Sequence, residues 1–529
     1  MTSSVRVGGR LRPRAVIDLL ETRRLLSSDY ELTLQPFDHG IGCGCGSCGN
    51  DNPKFVESLQ KLGLLDAREY QATDRWTSTA TNPNTGSSGN PATLTWGFVS
   101  DGLSITGYAG EPTSSSNLQS RLNTLYGSSS AWLAVFQQVF DHWSQLTGIN
   151  YIFVNYDDGA AFQSSNGVLG VRPDIRIAGH PIDGAGGILA YNFYPSGGGD
   201  MVIDTADLTG GGYMTNLSNN SRRLRNVVAH EAGHGIGMAH VIPVNQTKLM
   251  EPNVTTSFDG PQFDDILGVQ RLYGDPYEKN GRNESAATAT PLGSLPLGSS
   301  TLVQQVTVGV GSDADFFRIN LADDRRVSIN LQPQGSAYLQ GPQNGTATTF
   351  DPASQADLRF DVYAANGSTL LASVNATSAG AGESLSILDL PAGDFFVRVA
   401  GTGNAQMYRL DASSQALVRG DMNVDGIVNN QDIAGFTLGL TDAAGFLSQF
   451  DFDPTVRGDV NRDGVFNNQD IEPFVALLSG SRPAADFARR APLSRPVMPR
   501  RMVFAGGSPI ELREHDAGSV ESPRMSVLA

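Results

Sequence analysis

Residues 230–240 read HEAGHGIGMAH, and the interpretation of the whole chain turns on this stretch. His230 and His234 stand i, i+4, so on a helix both imidazoles leave one face and can meet a single metal. Glu231 falls beside them. Gly237 can end the helix and turn the chain, bringing His240 back as a third ligand. Three neutral imidazoles suit Zn²⁺ and leave a fourth position open, which marks a catalytic rather than a structural site. There a zinc-bound water is acidified toward a pKa of about 7. Glu231 would then act as general base and pass the proton to a leaving amine. The chain has only 7 histidines, so a chance match at every fixed position has little support. The alternative is a buried amphipathic helix whose histidines are merely hydrogen-bonded. His39, His142, His180 and His515 read as surface or structural groups.

Outward from this stretch the pattern is globular between residues 91 and 275. AWLAVFQQVFDHWSQL places Trp132, Val135, Phe136, Val139, Trp143 and Leu146 on one helical face. The runs LTWGFV, INYIFV, DIRIAG, ILAYNFY and DMVID are strand-like, and a second helix begins near Ser221 and runs through the histidines. One mixed sheet packed against two long helices is the expected architecture. Residues 283–415 change character. Short alternating runs such as DFFRINL, RVSINLQ, LRFDVYA and FFVRVAG, separated by turns, predict an all-β sandwich or jelly roll.

An internal repeat follows. GDMNVDGIVNNQDI at 420–433 recurs as GDVNRDGVFNNQDI at 458–471, each copy leading into a short apolar helix within residues 418–480. Both copies follow an EF-hand-like oxygen schedule. Asp421, Asn423, Asp425, the Ile427 carbonyl, Asn429 and Asp432 take positions 1, 3, 5, 7, 9 and 12 of the first. Asp459, Asn461, Asp463, the Val465 carbonyl, Asn467 and Asp470 do so in the second. Calcium is the expected ligand, and no helix is expected before either loop.

Composition agrees with such a chain. It has 529 residues, 37 basic and 54 acidic, for a net charge of −17, which argues against a nucleic-acid binder and favours divalent cations. No apolar run is long enough to span a membrane as a helix. The 3 cysteines, Cys43, Cys45 and Cys48, share one short window, so no disulfide can staple the remainder. Residues 1–90 read as a largely irregular targeting or propeptide-like segment with one short helix at 54–70. Residues 481–529 read as a disordered tail. The N-terminus is Arg-rich without a clean apolar core, a poor conventional signal.

The extended HExxHxxGxxH pattern resembles that of the metzincin metalloproteases. The KLMEP stretch looks like their Met-turn, with Met250 beneath the zinc, and Leu249, Met250 and Pro252 match the matrixin, or matrix-metalloprotease-like, branch. Glu251 replaces the usual aromatic. DDILGVQRLYG at the end of the unit is also matrixin-like. DGAGGILAYNFYPSGGGDMVIDTAD at 183–207 resembles the matrixin calcium loop and the edge strand beside the substrate cleft. The resemblance implies a Ca²⁺ site of Asp183, Asp204 and Asp207 carboxylates with the Gly184, Gly186 and Ile188 carbonyls. It also implies that the strand at 188–194 offers a free edge to peptide. The second, structural zinc of vertebrate-type matrixins is not expected, because its histidine positions read Tyr191 and Val202. Cys48–Gly49 matches the core of the inhibitory cysteine switch, although the flanking residues do not. A local disulfide or an incidental Gly/Cys-rich segment remains the alternative.

Residues 283–415 resemble the bacterial pre-peptidase C-terminal domain on SDADFFRINL and LPAGDFFVRVAG. The repeat resembles a type I dockerin, which implies calcium-dependent folding and a cohesin-like partner or, as plainly, a terminal module that binds nothing further. LLETRRLLS is similar to a short motif at the start of exported planctomycete proteins. Together these features imply an exported, extracellular or cell-surface, zinc-dependent metalloendopeptidase acting on protein. The competing reading is a non-catalytic adhesion or scaffold protein with a degenerate protease unit.

Overall fold

The run ATLTWGF forms strand β1 (Ala92–Phe98) in the computed structural model, which describes residues 72–480 apart from 164, 165, 280, 310 and 312. The expected helix at 54–70, the three cysteines, the N-terminal motif and the tail after 480 lie outside the described residues. β1 is flanked by β2 (Ile149–Phe153) and β3 (Ile175–His180), followed outward by β5 (Met201–Asp204) and β4 (Ala190–Asn192). All pairings are parallel except β4 with β5, which is antiparallel, so the sheet is mixed. These strands are rich in Ile, Val and aromatic residues that fit a pleated buried surface.

Two long helices cover the sheet. The first, α2 (Ser129–Leu146), follows the shorter α1 (Leu118–Tyr126). It is capped at Ser128, whose hydroxyl accepts from the Ala131 N–H. It buries Trp132, Val135, Phe136, Val139, Phe140 and Trp143, the expected stripe with Phe140 added and Leu146 only half-buried. Trp96 of β1 stacks on Phe140 at 4.2 Å. The second, α3 (Ser218–Gly235), carries the first two motif histidines; residues 219–221 have positive φ, so its regular part begins just after Ser221, near where the periodicity placed it. Trp143 ties the two together by donating from its indole to the Ala229 carbonyl at 3.0 Å. A fourth helix, α4 (Phe263–Tyr273), closes the unit.

Beyond it lie two packed antiparallel-rich sheets of four and five strands between residues 290 and 416, sharing a core that includes Phe317, Ile329, Phe360 and Val397. The region is all-β. Four short helices between residues 432 and 478 follow, packed around Met422, Phe436, Phe446 and Phe474. One expectation fails here: a single-turn helix, Thr455–Gly458, does precede the second repeat loop. PTVRG is too short for periodicity to reveal it, and its Arg457 is wholly buried against Asp389 of the β-region and the Asp421 carbonyl.

The β-region also reaches into the first unit. Its hairpin of strands Tyr338–Pro342 and Thr348–Phe350 pairs with Val241–Ile242, just beyond His240, with Gly341 opposite Ile242 and Pro342 opposite Val241. Phe350 and Met407 pack on Ile266 and Leu267 of α4. The Tyr338 hydroxyl donates to Asp264, while the Lys248 ammonium lies 5.4 Å from the Tyr338 ring centroid. Burial first, then the charge of Asp265, pushes the Asp264 carboxyl up to about 8 from its ordinary 3.8. A carboxyl raised in the folded state stabilises the fold most when protonated, so stability should fall as pH rises from about 4 toward about 8. The slope has an upper limit of about 1.4 kcal/mol per pH unit from this group. Asp264→Asn, neutral throughout, should flatten that decline when urea midpoints are compared at steps between pH 5 and 8; an unchanged slope would refute the assignment.

Candidate metal centre

Helix α3 delivers His230, Glu231 and His234 into the interior, where they are 0%, 0% and 2% exposed. The helix ends at Gly235, and Gly237 turns the chain at φ +96°; a Cβ there would lie 1.8 Å from the Asp74 carbonyl oxygen. Only glycine fits that turn. The turn brings His240 back, and the three Nε2 atoms then lie 3.0, 3.1 and 3.1 Å apart. The other ring nitrogens face carbonyl oxygens: Nδ1 of His230 meets Leu249 O at 2.6 Å, His234 meets Met238 O at 2.7 Å, and His240 meets Gln343 Oε1 at 2.9 Å. A carbonyl only accepts, so each Nδ1 carries the proton and each Nε2 turns a lone pair inward. Burial, reinforced by the neighbouring imidazoles, holds His230 and His234 well below the ordinary histidine range. Three neutral nitrogen donors converging on one point fit a tetrahedral metal with a position to spare, and the group could hold one.

Met250 is fully buried against helix α3. Gly233 makes room for it, since a Cβ there would sit 2.4 Å from the Met250 sulfur. The turn carrying Met250 is fixed by Asp265 of α4, whose carboxylate accepts from the Leu249, Met250 and Gln262 N–H groups at 2.8, 3.1 and 2.8 Å. Leu249 in turn orients His230. Glu251 is fully buried and accepts from the backbone N–H groups of Asn245, Gln246, Thr247 and Lys248. Asp265 and Gln343 escaped the sequence reading. The acidic pair in DDILGVQRLYG was a usable signal for the first, whereas nothing in sequence marks the second, 103 residues from its partner.

The loop at 183–207 is arranged differently from a closed cation cage. Asp183 accepts twice from the Ile188 N–H at 3.0 Å, Asp204 from Ile182 and Ala206, and Asp207 from Gly186 and Tyr213. One oxygen each of Asp204 and Asp207 is buried without a hydrogen-bond partner. Burial and then neighbouring carboxylates raise both groups. The three carboxylates are not among the groups whose ligand atoms come within 4.8 Å of one another. Gly184 and Gly186 both adopt positive φ in this loop. The strand expected at 188–194 is the three-residue β4, at the sheet edge, with residues 188–193 all buried.

Tyr191 donates to Glu111 at 3.0 Å, which also faces His180 Nε2 at 3.3 Å; His180 Nδ1 meets the Ser114 hydroxyl at 2.8 Å. Burial opposes ionisation of Glu111, but hydrogen bonds from His180, the backbone and Tyr191 hold its carboxyl at about 2. A further acidic group, Glu278, Glu284 and Asp313, converges within 4.8 Å between the first unit and the β-region. Burial, then the charges of Asp275 and Asp313, pushes Glu278 up to about 9.

In the C-terminal repeat the two loops share most of their hydrogen bonds, although the Met422 N–H donates to Asp432 while its counterpart, the Val460 N–H, donates to the Gly458 carbonyl. Asp421 accepts from Asp425 and Gly426 at 3.1 and 3.1 Å, and Asp459 from Asp463 and Gly464 at 3.1 and 3.0 Å. The buried Asp432 accepts from Asn423 and Asn429, as the buried Asp470 does from Asn461 and Asn467. Gly426 and Gly464 turn at φ +88° and +91°. Ile427 and Val465, whose carbonyls were expected at position 7, are exposed, and Asn423 and Asn461 instead pair with Asp425 and Asp463.

Comparison with known proteins agrees with the zinc-motif geometry. The matrixin family model matches residues 118–274. A metalloendoproteinase, 2-MMP, of Arabidopsis thaliana is 30% identical over 159 residues, 29% of this chain and 40% of that protein. Interstitial collagenase of Bos taurus is 34% identical over 141 residues, 26% of this chain and 27% of its own length. The chain thus spans well under half of these relatives. Among solved structures, the pre-peptidase C-terminal domain of a Bacillus anthracis collagenase aligns over 24% of this chain and 94% of its own, at 13% identity and a TM-score of 0.17. That likeness is too slight to bear on fold or function. Among the described residues no helix is long and apolar enough to cross a membrane. Residues 118–274 are thus similar to the matrixin family.

Proposed function

We propose that the chain is an exported, zinc-dependent metalloendopeptidase. The observation that carries this reading is the convergence of three Nε2 atoms, each imidazole fixed by a carbonyl at Nδ1, with a carboxylate one residue along the same helix. His230, His234 and His240 would hold Zn²⁺. When bound, zinc polarises a carbonyl and lowers the pKa of water at the fourth position. Glu231 would serve as the general base for that water and the general acid toward the leaving amine. Asp265 holds the Met250 turn, whose Leu249 carbonyl orients His230. An extended peptide would lie along the β4 edge by strand addition. The free buried oxygens of Asp204 and Asp207 support a calcium role for the 183–207 loop, and the Cys43–Cys48 segment is a candidate for an inhibitory switch.

Glu231→Ala should keep zinc stoichiometry and thermal midpoint while cutting hydrolysis of unfolded protein substrate by about 10²–10⁴-fold. Unchanged cleavage would sink the mechanism, and wild type that binds zinc yet cleaves nothing would favour the non-catalytic scaffold.

Behind this unit we assign a pre-peptidase C-terminal-like sandwich and a dockerin-like module that binds Ca²⁺ and presents itself to a cohesin-like partner. Support comes from the duplicated loops, where Asp421 and Asp459 accept from equivalent backbone N–H groups. Calcium should raise the thermal midpoint and the helical circular dichroism of the C-terminal module. The pair Asp421→Ala and Asp459→Ala should abolish that response; an equal response in the double variant would remove the calcium assignment.

A further inference from the structure

We infer that the β-region completes the metal centre: Gln343 is a positioning residue for His240, so the first unit and the sandwich form one functional site. The inference rests on the zinc reading above. His230 and His234 lie on a helix and are oriented by backbone carbonyls of their own unit. His240 lies beyond the Gly237 turn, outside the helix, and its Nδ1 meets a side chain from another unit, Gln343 Oε1 at 2.9 Å. Amide oxygen accepts, so this contact selects the tautomer whose Nε2 lone pair faces His230 and His234.

Gln343 is held where it can do this. It is the first residue after the strand Tyr338–Pro342, whose end pairs with Val241–Ile242. Upstream, Tyr338 is anchored to Asp264. Downstream, Phe350 is buried in the cluster with Ile266 and Leu267. The hairpin tip is therefore clamped on both flanks against the elements that carry His240 and the Met250 turn. Gln343 itself is only half-buried, and Asn344 next to it is exposed, so substitutions at these two positions leave the apolar packing intact.

The test uses the full chain, with zinc affinity measured by competition against a chromogenic chelator and with the visible spectrum of the Co²⁺-substituted protein. Gln343→Ala should weaken zinc binding about 10–100-fold and shift the Co²⁺ bands, with the metal-free thermal midpoint unchanged. Gln343→Glu keeps an acceptor oxygen at the same place and should restore affinity, and Asn344→Ala should behave as wild type. Zinc affinity of Gln343→Ala within about twofold of a zinc-binding wild type, against that 10–100-fold expectation, would overturn the inference and leave the zinc site standing. So would equal losses in Gln343→Ala, Gln343→Glu and Asn344→Ala. Absence of stoichiometric zinc from wild type would overturn the zinc reading and this inference together.

Discussion

The hydrogen bond at the back of each imidazole is the constraint on which the rest depends. A ring nitrogen can face a metal only if the other carries the proton, and here three carbonyl oxygens impose that choice. Each acceptor comes from a different place. Leu249 belongs to the Met250 turn, which Asp265 of α4 holds by two backbone N–H groups. Met238 follows the Gly237 turn. Gln343 comes from the β-region. Helix α3, helix α4, the turn and the hairpin must all be in register for the three lone pairs to meet.

That arrangement is costly without a ligand. Three buried imidazoles point their lone pairs at one another across about 3 Å, having given up water to do so. Burial and mutual proximity keep His230 and His234 neutral, so protonation cannot relieve the repulsion. A cation at the shared point converts the repulsion into attraction, and its binding free energy adds directly to the stability of the folded state. Fold and metal affinity are thereby linked through the same few hydrogen bonds.

Much of this was legible in the residues because it is local. The i, i+4 histidines, the turn glycine and the apolar stripe from Trp132 to Trp143 are properties of one helix or one turn, and helical geometry converts spacing into position. The alternating runs after residue 283 forecast strands for the same reason. The illegible parts are those set by long-range packing. Gln343 sits at a hairpin tip with no pattern of its own, and its significance arises only because Tyr338 and Phe350 dock on α4. Glu251 stands where the resemblance has an aromatic, and its carboxylate is turned inward to gather four backbone N–H groups.

The inward turn of Glu251 is part of a wider habit. Asp265 gathers the Met250 turn, Glu251 the 245–248 loop, and Asp432 and Asp470 the two repeat loops, and all four are fully buried. Each trades solvation of a carboxylate for several backbone donors that would otherwise lack partners in irregular chain. The three cysteines lie in one window near the N-terminus, so cross-links cannot perform this service across residues 72–480. A loop-rich chain without staples needs another way to fix its turns, and short acidic side chains accept from consecutive N–H groups where lysine and arginine cannot. The excess of 54 acidic over 37 basic residues is therefore in part an internal feature that holds turns in place, and only in part a surface charge.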